Sequence, residues 1–335
     1  MTVALKHIAR GSGYSISTVS AILGGRANLH SKTAQLRVME IAEKLGYQAN
    51  SGARAMRRGS FGAVALVMGP EGHTYLPQDL LAGIEDTLAR EGLNLIIVRV
   101  SEENLQSPEK IPHVLRERMV DGLLINYIIK VPPRLTELVN QRSCPAVWIN
   151  DKQDHDSVYP DDFRAGMELT QALLDIGHRR IGYIDFSETV HYSRNERMRG
   201  YSECMLAAGL EPEVSFYPVM RSGSSFGDQA FRNWMTFPRR PTALISYYPP
   251  TALLYAAKTE YGLEVPRDLS VVSFSDRPDR SLGLEIGCML LPEYEIGVNA
   301  VQMLLGKLAA GKTKMISKSF PCKFYPGDTC GAPSC

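Results

Sequence analysis

A helical motif lies close to the N-terminus, where residues 13–23 read GYSISTVSAIL. Ser15 is suited to cap a helix that runs to Leu23, and the two glycines that follow are suited to end it. Val19 and Ile22 share one face of that helix and should point into a core. The opposite face carries small polar side chains, which let the helix backbone approach another molecule closely.

Two further helices are predicted beside this segment. Leu5, Ile8 and Ala9 share one helical face before it, and Ser31 can cap a third helix that ends before Gly46. The predicted inner face of the third helix consists of Val38, Ile41, Ala42 and Leu45. A helix, a tight turn with glycine and a short polar helix form a helix-turn-helix, whose second helix lies in the DNA major groove. A small three-helix bundle without a DNA role has the same apolar pattern.

The charge distribution separates this segment from the rest of the chain. Residues 1–60 carry nine basic and two acidic side chains, a net charge of +7, whereas the remaining 275 residues carry a net charge of −6. A basic N-terminal segment on an acidic remainder is typical of nucleic-acid binding. The alternative is a basic surface that contacts only solvent and binds no nucleic acid.

From Phe61 onward, short apolar runs alternate with helical patterns. The predicted strands occupy residues 63–68, 94–98, 122–125, 144–149, 180–184, 242–246 and 269–274. The predicted helices occupy residues 80–91, 114–119, 166–176, 197–208, 251–261 and 294–310. Apolar strands that alternate with helices indicate an α/β fold whose parallel sheets are covered on both faces. Two such sets predict two Rossmann-like subdomains, with a ligand cleft beyond the C-terminal ends of the strands.

Several motifs together resemble the LacI/GalR family of transcription regulators. In the N-terminal segment they are S-I-S-T-V-S at 15–20 and G-Y-Q-A-N at 46–50; beyond it they are G-H-R-R-I at 177–181, R-M-R-G-Y at 197–201, R-P-T-A at 240–243 and V-P-R-D-L-S-V-V at 265–272. The resemblance covers about the whole chain. His7, Gly24 and Ala49 depart from the family pattern, in which Asp, Asn and Pro are usual, and none of the three removes a helix.

The resemblance implies three segments. Residues 1–50 are a helix-turn-helix DNA-binding domain, 51–60 a hinge helix or linker, and 61–330 an effector-binding and dimerisation domain that resembles periplasmic binding proteins. Its first subdomain comprises about 61–159 and 291–320, and its second about 160–290 and 321–330. The chain therefore crosses between the subdomains three times. No leucine heptads follow Gly311, so a homodimer is expected rather than a tetramer held by a tail.

The resemblance also implies which residues contact DNA. Base contacts fall to Ile16, Ser17 and Ala21, and phosphate contacts to Ser15, Thr18, Ser20, Asn28, Tyr47 and Asn50. In the hinge, Met56 stands at the position whose leucines wedge into the minor groove, and Arg54 can neutralise phosphate. A flexible basic linker is the alternative for the hinge. No Arg or Gln is placed for a bidentate base contact, so DNA shape should carry much of the specificity.

The implied effector site departs from the family pattern. Asn150 stands where an Asp is frequent, Tyr247-Tyr248-Pro249 replaces A-N-D, and Ser275 replaces a ligand-binding Asp, while Arg197 keeps the usual type. The candidate effector-binding residues are Tyr75, Tyr127, Trp148, Asn150, Arg197, Tyr248 and Ser275. The aromatic residues among them can line a pocket around a sugar ring or a planar ligand, or they can pack in a core.

The expected protein is a cytoplasmic repressor with a sugar-like effector and a pseudo-palindromic DNA operator as its partners. The sequence contains no G-x-G-x-x-G, P-loop, G-x-S-x-G or H-E-x-x-H motif and no C-x-x-C pair, so no catalytic residue, cofactor or metal site is predicted. Two alternatives stay open. One is a regulator that responds to no small molecule, and the other is a solute-binding protein, which the basic N-terminal segment and the absence of a signal peptide disfavour.

Overall fold

The structure is a computed structural model of the 335-residue chain. It describes residues 3–24, 26–47, 59–70, 74–117, 119–127, 131–141, 144–186, 191–217, 235, 240–247, 250–311 and 314–334. The chain forms two compact units, Met1–Ala63 with Met119–Asp121 and Val64–Arg118 with Gly122–Cys335. We call the first unit the head and the second the body, and each is described by itself.

The head contains three α-helices and a short 3-10 turn. They are α1 (Leu5–Ser12), α2 (Ile16–Leu23), the 3-10 turn Ala27–Leu29 and α3 (Lys32–Lys44). Both predicted caps are confirmed, because Ser15 Oγ accepts the backbone N–H of Thr18 and Ser31 Oγ accepts that of Ala34. These bonds satisfy donors that a helix start otherwise leaves open.

The core of the head is small and lies between the three helices. Its buried residues are Ile8, Val19, Ile22, Ala34, Val38 and Ala42. The prediction that Leu45 points inward is wrong, since its side chain is exposed. The physical reason is the helix end: α3 stops at Lys44, and Gly46 turns the chain with a φ of 65°. Beyond that point the helical spacing no longer sets the direction of a side chain.

The first sheet of the body has six strands in the order β13-β5-β4-β3-β1-β2. They are β1 (Ala63–Met68), β2 (Asn94–Arg99), β3 (Gly122–Asn126), β4 (Ala146–Ile149), β5 (Ser157–Pro160) and β13 (Lys318–Phe320). The helices between them are α4 (Gln78–Arg90), α5 (Glu102–Gln106), α6 (His113–Arg116) and α7 (Pro133–Gln141). Strands β1, β3, β4, β5 and β13 run parallel.

The second sheet also has six strands, in the order β14-β12-β9-β8-β6-β7. They are β6 (Ile181–Phe186), β7 (Glu213–Tyr217), β8 (Ala243–Ser246), β9 (Ser270–Ser275), β12 (Gly287–Leu290) and β14 (Lys323–Tyr325). Its helices are α8 (Asp162–Asp175), α9 (Tyr192–Ala207) and α10 (Thr251–Thr259), and β10 (Arg280–Ser281) and β11 (Leu284–Glu285) form a hairpin. Strand β14 is antiparallel to β12, so this sheet is mixed rather than purely parallel as predicted.

The chain passes between the two sheets three times. It leaves the first sheet after β5, returns after β12 through α11 (Glu293–Ala310), and crosses again between β13 and β14. Helix α11 packs its buried residues Ile296, Ala300 and Leu304 into the core of the first sheet. We call the two halves of the body subdomain one and subdomain two, after the sheets to which they belong. The ends of β4 and β9 and the start of α11 therefore lie where the halves meet.

The prediction that β2 is covered on both faces is wrong. Ile96 and Ile97 are 36% and 49% exposed, because β2 is the edge strand of the first sheet. The helix predicted to end at Met119 ends at Arg116. Within the described part of the chain, no helix is both long and apolar enough to cross a membrane.

Candidate DNA-binding head and ligand cleft

The start of α2 presents an exposed polar cluster. Ser15 Oγ lies 2.7 Å from Ser17 Oγ and 2.9 Å from Thr18 Oγ1, and it also accepts the Thr18 backbone N–H. Ile16 is 53% exposed beside them. The hydroxyls hold one another in place at the end of a helix where backbone N–H groups point outward, an arrangement that suits contact with phosphate.

The other predicted DNA-binding residues of the head fall into three groups. Asn28 is exposed on the 3-10 turn, whereas Ser20, Ala21 and Tyr47 are half-buried. Asn50, Arg54 and Met56 lie outside the described residues. The sequence analysis missed Gln35, whose Nε2 donates to Ala27 O at 2.7 Å and to His30 O at 2.8 Å. Gln35 therefore holds the turn that carries Asn28.

Part of the positive charge on α3 of the head is neutralised by ion pairs. Glu40 pairs with Arg37 at 3.1 Å and with Lys44 at 2.8 Å, and these two cations lower the pKa of Glu40. Among the described residues of the head, Lys6, Arg10, Arg26 and Lys32 form no ion pair. They lie on α1, in the loop after α2 and at the start of α3. The unpaired cations and the polar start of α2 belong to the same small unit.

Of the predicted effector-site residues that the structure describes, Trp148 lies within β4, Arg197 lies on α9, and the others follow or end strands of the two sheets. Tyr75 follows β1, Tyr127 and Asn150 follow β3 and β4, and Ser275 ends β9. The carboxyl ends of parallel strands are where α/β sheets bind ligands. Tyr248 lies outside the described residues.

Arg197 forms a buried ion pair in this region. Its Nε donates to Asp162 Oδ1 at 2.7 Å, and its guanidinium lies 4.4 Å from the centre of the Phe274 ring and 5.3 Å from that of Tyr247. Burial lowers the pKa of Arg197, but the Asp162 carboxylate and Tyr247 outweigh it and raise that pKa above its usual value. Arg197 thus stays charged, and its position is fixed by a carboxylate and two rings.

The close packing of α8 against α9 sets the position of this ion pair. A Cβ atom on Gly166 would lie 2.2 Å from Arg197 O, and one on Gly200 would lie 2.1 Å from Phe163 O. Only glycine permits such a short distance between the two helix backbones. Asp162 on α8 can therefore reach Arg197 on α9.

A hydrogen-bonded chain joins the two subdomains through His191. Its Nε2 lies 2.6 Å from Asn150 O, its Nδ1 lies 2.7 Å from Ser193 Oγ, and Ser193 Oγ lies 2.8 Å from the Tyr247 hydroxyl. A carbonyl oxygen only accepts, so Nε2 carries the proton and Nδ1 accepts from Ser193, which in turn accepts from Tyr247. Burial lowers the pKa of His191, which favours the neutral ring that this direction requires.

Glu293 at the start of α11 is a buried carboxyl group that forms no ion pair with another described residue. It is 4% exposed, and Asn150 Nδ2 donates to its Oε2 at a long 3.5 Å. Burial raises the pKa of Glu293 to about 7, and Asp276 and Asp162 act in the same direction. Asn150 Oδ1 is buried without a hydrogen-bond partner in the described part of the chain. Asn150 thus leaves hydrogen-bonding capacity unused beside Glu293, at the meeting point of the subdomains.

The remaining predicted effector residues differ in exposure. Tyr75 is 55% exposed, and its hydroxyl donates to Asp276 Oδ2 at 3.1 Å across the two subdomains. Tyr127 and Trp148 are buried, and the Tyr127 hydroxyl donates to Val100 O at 3.4 Å. Ser275 is half-buried and accepts the Arg277 N–H at 3.5 Å. Tyr127 and Trp148 therefore pack within subdomain one, whereas Tyr75 contacts subdomain two directly.

Sequence reasoning missed Glu293, His191 and Ser193. Each acquires its role from residues far away along the chain, and periodicity gives no sign of such contacts. No group of three His, Cys, Asp or Glu side chains in the described ranges is arranged to hold a metal ion.

A small helical head whose second helix begins with exposed polar side chains, and a body of two α/β subdomains joined by polar contacts, fit a ligand-controlled DNA-binding regulator. Comparison with known proteins agrees. Residues 170–330 match the family model of the periplasmic binding protein-like domain. The HTH-type transcriptional regulator RegA of Clostridium saccharobutylicum is 24% identical over 313 residues, which cover 91% of this chain and 92% of that protein. The ribose operon repressor of Haemophilus influenzae is 26% identical over 319 residues, 91% of either chain.

A solved structure of the lac repressor dimer, bound to operator and the anti-inducer ONPF, has the same fold. Its TM-score is 0.79 at 20% sequence identity, and the match covers 99% of this chain and 100% of that one. The chain is thus similar, over about nine tenths of its length, to transcription regulators of the LacI type. The predicted resemblance and the predicted fold class are confirmed, and these relatives are regulators.

Proposed function

We propose that the chain is a cytoplasmic, homodimeric repressor that binds a pseudo-palindromic DNA operator under the control of a small molecule. The observation that carries the proposal is the start of α2, where Ile16 and Ser17 are exposed within an N-terminal segment, residues 1–60, of net charge +7. A short, polar helix end fits the major groove, and the cations provide affinity for phosphate. The proposed segments are a helix-turn-helix DNA-binding domain at 1–50, a hinge at 51–60 and an effector-binding and dimerisation domain at 61–330.

In this proposal, DNA contacts come from Ser15, Ile16, Ser17, Thr18, Ser20, Ala21, Asn28, Tyr47 and Asn50 in the N-terminal domain and from the hinge residues Arg54 and Met56. The side chains at the start of α2 are weak hydrogen-bond partners for bases. Ile16 can contact a thymine methyl group, and Ser17 can bond to several base edges. Much of the specificity then falls to DNA shape and to the deformation that a wedged Met56 produces.

Dimerisation through the body fits the open edge of the first sheet. Ile96 and Ile97 on edge strand β2 expose apolar surface, and an open sheet edge with apolar side chains tends to be covered by another chain. The lac repressor whose fold this chain shares is a dimer on its operator. A twofold pair of heads would explain a pseudo-palindromic operator.

The control mechanism that we propose uses the contacts between the subdomains. Tyr75 to Asp276, His191 to Asn150 and Lys152 to Glu196 at 2.7 Å all link subdomain one to subdomain two. A small molecule among Arg197, Asn150 and Ser275 would change these links and so the preferred angle between the halves. A ligand shifts such an equilibrium only by its difference in affinity for the two states.

The test is operator binding by Met56→Ala, with Met39→Ala as the matched control. Met39 is an exposed methionine on α3 of the head that the proposal places outside the DNA contacts. Fluorescence anisotropy on selected operator DNA and on random DNA should show at least a tenfold loss for Met56→Ala on the operator alone. Unchanged operator affinity for Met56→Ala, or an equal loss for Met39→Ala, would refute the wedge role.

A further inference from the structure

The cleft contains several charged groups besides Glu293, and most of them are paired. Arg197 pairs with Asp162 at 2.7 Å, Arg194 with Asp185 at 2.6 Å, and Lys152 with Glu196 at 2.7 Å. In the part of the chain that the structure describes, no Lys, Arg or His forms an ion pair with Glu293. Glu293 is thus a buried carboxyl group that lacks a cationic partner.

The surroundings of Glu293 define what such a partner must be. The charged and titratable groups that face it are Asp276, Asp162, Arg197, Tyr75 and the Cys322 thiol. Two of these are carboxylates, and the one cation is already held by Asp162 and two aromatic rings. An anionic ligand group would meet like charges here. A positively charged group would meet an unpaired carboxyl group, a nearby second carboxylate and the free Asn150 Oδ1.

We propose that Glu293 and Asn150 form a subsite for an ammonium group, so that the effector of this chain is an amine rather than a neutral sugar. This inference rests on the proposed effector cleft. The ammonium donates one hydrogen bond to Glu293, now ionised, and one to Asn150 Oδ1. A charge-assisted pair in a buried site is stronger than a neutral hydrogen bond and removes the cost of a buried, unpaired carboxyl group. A metal ion fits less well, since it needs more ligand oxygens than these two side chains provide.

Proton release is a consequence of the proposal. Burial places the pKa of Glu293 near 7, so part of the population is protonated in the free protein at neutral pH. Ammonium binding requires the ionised form and therefore displaces that proton. Affinity for an amine that stays fully protonated across this range, such as 1,4-diaminobutane, should rise about tenfold from pH 6 to pH 8, because the ionised fraction of Glu293 rises by that factor. Affinity for a neutral hydroxyl compound should not rise.

The experiment compares matched amines and alcohols on the full-length protein. The probes are D-glucosamine with D-glucose, D-galactosamine with D-galactose, and 1,4-diaminobutane with 1,4-butanediol, each titrated by calorimetry up to 50 mM. The variants are Glu293→Gln and the control Glu295→Gln, an exposed carboxylate on the same first turn of α11. At least one amine should bind ten times more tightly than its alcohol. That preference should vanish in Glu293→Gln and persist in Glu295→Gln.

Several results overturn the subsite. They are equal affinity for amine and alcohol, a preference that survives Glu293→Gln, and failure of every amine to bind. If Glu293→Gln does not fold, calorimetry of the unmodified protein in two buffers of different ionisation enthalpy decides by showing or excluding proton release. Failure of the ammonium subsite can be distinguished from failure of the proposed function. An alcohol that binds and changes operator affinity overturns the ammonium subsite alone. Absence of specific operator binding by the unmodified protein overturns the proposed function.

Discussion

Glu293→Gln should stabilise the protein at pH 8 and have a much smaller effect at pH 5. Burial raises the pKa of Glu293 from 4.5 to about 7 in the folded state. Below pH 4.5 the carboxyl group is protonated in both the folded and the unfolded chain, so its ionisation contributes nothing. Between pH 4.5 and 7 the unfolded chain loses this proton while the folded chain retains it, and the free energy of unfolding falls.

The size of the effect follows from the two pKa values. Each unit of difference corresponds to about 1.4 kcal/mol, so the buried carboxyl group destabilises the fold by about 3 kcal/mol above pH 7. Glutamine has no proton to lose and avoids this cost. Asp162, Asp276, Arg197 and Tyr75, which face Glu293, are present in both proteins, so the difference between them isolates Glu293.

The assay is urea denaturation of full-length protein at pH 5, 6, 7 and 8. The difference in unfolding free energy between Glu293→Gln and the unmodified protein should grow by about 2 to 3 kcal/mol across this range. Glu295→Gln, with an exposed side chain, should show no such trend. A difference that stays constant from pH 5 to pH 8 would refute the assignment of Glu293 as a buried, unpaired carboxyl group.

Three further predictions concern packing, capping and the buried ion pair. Gly200→Ala should destabilise the body by about 3 kcal/mol, because its Cβ would lie 2.1 Å from Phe163 O; Ser202→Ala on the same helix should change the melting temperature little. Ser31→Ala should lower the stability of the head by about 1 kcal/mol through loss of the α3 cap, and full amide-exchange protection in α3 would contradict this. Arg197→Met should cost about 3 kcal/mol by leaving Asp162 unpaired, and a second change, Asp162→Leu, should recover most of it. Urea denaturation of Arg197→Met and of the double variant measures this recovery. Equal stability of the single and the double variant would disprove the pairing of Arg197 with Asp162.

Features set by neighbouring residues were predictable from the sequence. The caps at Ser15 and Ser31 and the turn at Gly46 depend on residues within one helical turn, and the structure has all three. The buried strands β1 and β3 were also predictable, because continuous apolar runs are needed when both faces of a strand are covered.

Features set by distant residues were not predictable. Strand β14 is three residues long and antiparallel, and its place beside β12 depends on the crossing after β13. Strand β2 reads as buried, yet Ile97 is exposed because strand order places it at the edge. Glu293 looks like an ordinary acidic residue in a first helical turn. Its burial becomes visible only in the folded chain, where Asn150, a residue distant along the sequence, lies beside its carboxyl group.

Recognition of DNA as a symmetric dimer can be measured by selection from a random DNA pool with the full-length protein. We expect enrichment of a pseudo-palindrome whose half-sites lie about one helical turn apart. Ser17→Arg at the exposed start of α2 should change the base preference symmetrically in both half-sites. Failure to enrich any sequence, or enrichment of a single unsymmetric site that Ser17→Arg leaves unchanged, would contradict the account.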